Sequence, residues 1–277
     1  MAVTTIAVGT AGARLQPTGR NHINILRSEW TKIRSVRSTY WTLAAAAITT
    51  VGLSAIICAV FVAQFEHLSA SDLRSFDPAS TSLTGGILAQ FAIAVLGVLV
   101  ITSEYGTGLI RTTLASVPQR LNVLWAKVTV FAALTLAVTS AACFAAFFIG
   151  QAILSAKDMG VSIGDPNVLR TVIGTALYLT LLGLLSLGIG ALIRKTAGAI
   201  SAIVGILFVL PVLASFLPGS VDFIQKYLPS EAGTAIINTK PDPTADVLGG
   251  WIGLGVFALY VVVALGAAAY FLQHRDA

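Results

Sequence analysis

Charge is scarce in this sequence. Asp, Glu, Lys and Arg make up 10% of its 277 residues, against about a quarter in soluble domains. With 56% of the chain apolar, that shortage excludes an ordinary soluble globular domain, which needs a charged surface over its core. Cysteine is nearly absent. Cys58 and Cys143 both fall inside apolar runs, which excludes a disulfide framework or a cysteine metal centre and leaves two small core residues. Histidine is almost as rare, and His22, His67 and His274 lie far apart with no zinc-ligand spacing. Gly190 to Thr196 reads GALIRKT. It has a lysine and threonine in phosphate-loop order, but no second glycine before the lysine and no strand ahead of it. No catalytic, metal or nucleotide site is therefore expected in this chain. Arg194 and Lys195 read as anchors at a membrane face, within reach of lipid phosphates.

What the chain has instead is long apolar runs. Six reach the ~20 residues needed to cross a bilayer as a helix, at about 41–65, 86–102, 128–156, 171–193, 197–217 and 247–272. None contains Asp, Glu, Lys, Arg or His. Ionisable groups at membrane depth mark proton relays and ion-coupled carriers, so their absence argues against a transporter that carries its own coupling ion. Gln64, Gln90 and Gln151 are expected to bond between helices. Small residues recur at four-residue steps: Ser186 and Gly190; Ala197, Ser201 and Gly205; Gly249 and Gly253. Such positions let helices approach closely in lipid. Pro211 should kink the fifth span, because it lacks a donor and clashes one turn back.

Six spans place both termini on one side. If that side is the cytosol, it holds twelve of the seventeen basic residues, among them Arg27, Lys32, Arg34, Arg37, Arg111, Arg120, Lys127, Arg194 and Lys195. The other side holds Arg74, Lys157, Arg170, Lys226 and Lys240. This is the positive-inside pattern. The net charge of +5 is thus a topology signal, and no basic-aromatic surface for nucleic acid accompanies it.

Residues 1–20 read as a disordered cytosolic tail. Over 21–39, Leu26, Trp30, Ile33, Val36 and Tyr40 share one helical face, bordered by Arg27, Lys32, Arg34 and Arg37. This is the pattern of a helix lying flat in the membrane interface, or else a continuation of the first span. The long outer loop before the last span, 218–246, carries apolar residues that suggest a short helix or dip resting on the outer membrane surface. Ser103 to Arg120 reads SEYGTGLIRTTLASVPQR, a polar segment between two apolar ones. Glu104 ends the second span, Gly106 and Gly108 permit a change of direction, and Thr107 can cap a short helix. Leu109, Ile110, Thr113 and Leu114 form its face, and Pro118 ends it. That face must be covered, either by the inner membrane surface or by a soluble partner.

Six spans, the basic helix SEWTKIRSVRSTYW and the segment SEYGTGLIRTTLASVPQRLNVLWAK resemble the ABC-2 class of permeases, the membrane subunits of bacterial ATP-binding-cassette exporters. YLPSEAGTAI, 227–236, looks like the outer loop before the last span of those proteins. The resemblance covers Asn21 to Arg275. It implies an all-α polytopic fold with an N-terminal interfacial helix and a cytosolic coupling helix, in a bacterial cytoplasmic membrane. It implies that Glu104, Tyr105, Gly106, Thr107, Gly108, Arg111 and Thr112 couple to a separate ATPase subunit, which binds ATP and Mg. The permease would pair with a second copy or a related chain and export an amphipathic or hydrophobic cargo: a drug, antibiotic, peptide or lipid. The alternative is a membrane scaffold or sensor subunit that transports nothing.

Overall fold

A computed structural model describes residues 18–110, 112, 120–216, 222–239 and 247–274. Among them there is no strand, and the helices follow in order. α1 is Thr18–Ser35, α2 Arg37–Ala63, α3 Gly86–Gly106, α4 Arg120–Leu154 and α5 Val168–Ile193. α6 runs Thr196–Val204, then a π turn Gly205–Val209, then Leu210–Ala214; α7 is Pro229–Thr234 and α8 Gly250–His274. α2, α3, α4, α5, α6 and α8 are long and apolar enough to cross a membrane, so the chain is a multi-pass membrane protein. Two short helices, Ala70–Ser75 and Pro78–Thr81, lie between α2 and α3. Asp77 caps the second by accepting from the Ser80 amide at 3.1 Å.

Several boundaries differ from those read in the sequence. Thr18–Arg20 belong to α1; the rest of the expected tail, 1–17, lies outside the described residues. α1 stops at Ser35, because Val36 is extended at φ −87°, ψ 108°. Arg37, expected in the N-terminal interfacial helix, therefore opens α2 and is not part of α1. α3 runs on past residue 102 to Gly106, and α4 begins at Arg120, well before 128. The apolar runs mark where lipid can touch a helix. The helices themselves continue until something breaks them.

α5 lies at the centre, packed against α3, α4 and α8. In its most apolar window 78% of residues are buried, against 22% for α2 and α6 at the periphery. Small residues make this possible. A Cβ on Gly97 of α3 would overlap the Gly183 carbonyl oxygen of α5, and one on Gly190 would sit 2.8 Å from Ile101. Ser186, fully buried, lies in the same seam. The stripe Ala197, Ser201, Gly205 does not pack this way: Ala197 and Ser201 are exposed and Gly205 faces open space, because α6 touches the bundle along its other side. We expect Gly97→Leu to lower the melting temperature of purified protein sharply. The obstacle is backbone, which cannot swing aside, and overpacking costs about 1–3 kcal/mol even where side chains can yield. An unchanged melting temperature would mean that α3 and α5 do not touch at Gly97.

Gln90 accepts from the Tyr178 hydroxyl at 2.8 Å, joining α3 to α5. Gln151 donates to Ser82 Oγ and the Pro78 carbonyl and accepts from the Val161 amide. Gln64 is exposed at the end of α2 and its side chain bridges no helices among the described residues. Cys58 and Cys143 are free and fully buried. Just ahead of Pro211, where a kink is expected, the helix passes through the π turn, which relieves the clash between the proline ring and the carbonyl one turn back.

The loop expected before the last span contains the short helices Asp222–Gln225 and Pro229–Thr234. Ile224 and Tyr227 stay exposed, while the part from Pro229 to Ile236 sinks into the bundle. Ala232 and Ile236 are fully buried. Glycines make the room: a Cβ on Gly174 would strike Ile236, one on Gly233 the Tyr178 ring, and one on Gly253 the Ala232 carbonyl at 2.5 Å. Asp77 clamps the segment by accepting from the Thr239 hydroxyl at 2.6 Å and amide at 2.8 Å. Arg170 donates to the Asn238 carbonyl at 2.7 Å.

Candidate functional site

The end of the bundle that carries α1 and the end of α8 also carries the start of the polar segment, and there four charged side chains meet. Lys127 Nζ donates to Glu29 Oε2 at 2.7 Å and to Glu104 Oε1 at 2.8 Å. Lys32 Nζ lies 2.6 Å from Glu29 Oε1 and 3.5 Å from Glu104 Oε1. Lys127 and Glu29 are almost wholly buried and Glu104 nearly so, while the Lys32 side chain keeps 39% of its surface exposed. Two acids and two bases thus form a neutral quartet that fastens α1 to α3 and α4. Its one loose end is Glu104 Oε2, buried without a hydrogen-bond partner.

Sequence reading placed Glu104 and Lys127 outside the apolar runs. The structure places both inside membrane-crossing helices, where each is tolerable only because the other and Glu29 are there. Glu29 was the missed residue. Of the apolar face expected to lie in the membrane interface, Trp30, Val36 and Tyr40 are exposed from the protein, while Ile33 is buried in the bundle. The buried stripe is Ile25, Glu29 and Ile33, spaced four residues apart on one face. An acid centred between two isoleucines was the available signal, since it demands a buried base. Arg27 and Arg34 are exposed.

Burial alone would raise the pKa of Glu29, but Lys127 and then Lys32 outweigh it and hold the carboxyl below its ordinary 4.5. Burial likewise opposes the charge on Lys32, yet Glu29 and Glu104 keep its pKa above the ordinary 10.5. The stabilisation from Glu29 is therefore complete above 4.5 and lost as pH falls through its lowered value. That from Lys32 is complete below 10.5 and lost as pH rises through its raised value. Hydrogen exchange in α1 should stay protected between these limits and accelerate outside them. Loss of protection near neutral pH would show that the quartet does not hold α1.

Other contacts converge on the same end. The Arg194 guanidinium lies 5.2 Å from the centre of the Tyr105 ring, and Thr196 donates to Thr102 at 2.9 Å. These tie the corner between α5 and α6 to the end of α3. Arg120 donates to the Leu272 carbonyl at 3.2 Å, joining α4 to α8. GALIRKT is this corner: α5 ends with Arg194 in the left-handed region at φ 61°, and Lys195 leads into α6.

Of the expected coupling residues, Glu104, Tyr105 and Gly106 are the last turn of α3. Gly106 needs no special freedom; it is helical with open space where a Cβ would be. Thr107 caps the end of α3 and not the start of a new helix, and its hydroxyl donates to the Ser103 carbonyl at 2.8 Å. The turn is made at Gly108 alone, at φ 74°. Leu109, Ile110 and Thr112 are helical again. Ile110 is buried and Leu109 is 56% exposed, so the expected shared face is split. Arg111, Thr113, Leu114 and Pro118 lie outside the described residues.

One pattern invites a hydrolase reading. Gly160–Gly164, GVSIG, has the Gly-x-Ser-x-Gly spacing of a nucleophile turn. That turn works by joining a strand to a helix, and here it is an irregular loop in which Ser162 is exposed and its hydroxyl accepts from the Gly164 amide. Among the described residues no three His, Cys, Asp or Glu side chains converge on a metal-sized space. No protein-family model and no curated protein matches the chain.

Proposed function

We propose that this chain is the permease subunit of an ATP-binding-cassette exporter in a bacterial cytoplasmic membrane, with both termini cytosolic. The observation that supports the reading best is the junction at Glu104. A segment that turns at Gly108 and offers an exposed Leu109 is held at its root by α1, α4 and the α5–α6 corner. That is what a lever needs: a free tip for a soluble partner and a root that moves several spans together.

The chain supplies no energy of its own in this account. ATP and Mg bind a separate ATPase subunit, and the closing of two such subunits displaces the segment. Displacement passes directly into α3, whose last turn is Glu104–Gly106. It passes through the quartet to α1 and α4, and through Tyr105 and Thr102 to α5 and α6. The bundle then switches between two arrangements biased by nucleotide. Several polar groups buried within the helices are bonded to one another, as Gln90 to Tyr178 and Thr139 to Thr180 at 3.3 Å, and others to backbone carbonyls of their own helix. In this reading the path lies between this chain and a second permease, identical or related, and suits an amphipathic or hydrophobic cargo.

Two measurements test the reading. Cysteines placed at Ser71 or Ser155 should react with an impermeant maleimide added to intact cells, and cysteines at Ser35 or Thr112 should not. All four sites are exposed, and native Cys58 and Cys143 are buried. The purified chain should hydrolyse no ATP, and hydrolysis should appear when it co-purifies with an ATP-binding-cassette ATPase encoded beside it. The reverse labelling, or hydrolysis by the chain alone, would overturn the assignment.

A further inference from the structure

A groove of about 360 Å³ lies between α1, α2 and α4, within the ~300–1,000 Å³ range of ligand pockets. Its walls are Ile33 of α1, Leu43 and Ala47 of α2, and Leu134 and Val138 of α4. Trp30 and Tyr40, 45% and 52% exposed, also line it; such rings favour the level of lipid headgroups. Arg34 is the one charged lining residue.

Dimensions and charge narrow the occupant. From Thr39 to Ala47, at about 1.5 Å per residue, α2 descends about 12 Å along the groove. This is close to the depth of one leaflet, half of a hydrocarbon core about 30 Å thick. The occupant must therefore be apolar over roughly that length. It should also be anionic at one end. The acid of α1, Glu29, is taken up by Lys127 and Lys32, and Arg34 forms no ion pair among the described residues. We infer that the groove holds one acyl chain of an anionic phospholipid from the leaflet at the α1 end, with the lipid phosphate on Arg34. The lipid would wedge α1 against α2 and α4 beside the quartet. This goes beyond the permease reading and does not depend on it.

The test uses the full chain in nanodiscs of phosphatidylethanolamine with a trace of phosphatidylglycerol carrying a diazirine at the end of one acyl chain. After irradiation, label should map to α2 near Ala47 and to α4 near Val138. Unlabelled phosphatidylglycerol should compete with it and phosphatidylcholine should not. Arg34→Gln should cut labelling about fivefold, the weight of one basic contact to an anionic lipid, and Arg34→Lys should restore most of it. Ala47→Phe, which fills the groove, should abolish labelling. Should Ala47→Phe fail to fold, Arg34→Gln, on an exposed side chain, decides alone. Labelling indifferent to Arg34→Gln, or equal competition by phosphatidylcholine, would mean bulk lipid only. Cross-links in the groove to a second copy of the chain would mean a protein interface. Either result overturns the proposal.

Discussion

Lys127→Met should release α1 and lower the melting temperature of the purified protein by about 10 °C. The substitution leaves Glu29 and Glu104 buried with only the half-exposed Lys32 between them. Breaking a buried pair from one side costs about 3–5 kcal/mol, because the remaining charge stays desolvated without its partner. A kilocalorie is worth a few degrees in a chain of this size. The same reasoning makes a sharper claim. The triple variant Glu29→Met, Glu104→Met, Lys127→Met, with no buried charge left, should recover most of the loss, since well-packed apolar side chains of similar size often replace a buried ion pair at little cost. If Lys127→Met melts like the parent, the quartet is not a structural joint. If the triple variant is worse than the single one, hydrogen bonding and not charge balance holds the site.

Gly108→Val should leave the bundle intact and, if the chain is the proposed permease, reduce ATP-driven transport at least about tenfold, because a branched residue is a genuine outlier at positive φ. Gly108 stands at φ 74° with nothing within 4 Å of a Cβ position. The penalty is therefore purely one of backbone, about 1–2 kcal/mol. It falls on a short segment that can relax locally by turning elsewhere. Melting temperature should barely change, while the tip beginning at Leu109 points in another direction. Gly108→Asn, which tolerates this region, should keep most of the transport. Full transport by the valine variant would mean that the direction of the segment does not matter.

Much of the architecture was legible in the sequence, because a membrane span announces itself by length and apolarity alone. Ser186 and Gly190 were legible as a packing seam for the same reason: only small residues fit there. Ala197, Ser201 and Gly205 show the limit, since spacing says that a helix can be approached but not from which side. The candidate site was half legible. Glu104 and Gly108 stood out in a greasy chain. Glu29 and Lys127 did not, because hydropathy treats every charge as a reason for a helix to leave the membrane. Here four charges from three helices cancel one another, and that cancellation exists only once α1 has folded against α4. Thr107 was misplaced because the same residue type caps either end of a helix, and only the course of the backbone tells which.

The measurement closest to the central claim is a photo-cross-link from the tip of the segment. A benzoylphenylalanine in place of Leu109, in membranes that also contain the ATP-binding-cassette ATPase the proposed function calls for, should join the chain to that ATPase. The yield should change when ATP is supplied. Cross-links only to lipid or to the chain itself, with the ATPase present and active, would contradict the account: Leu109 would then rest on the membrane, and nothing would push on Glu104.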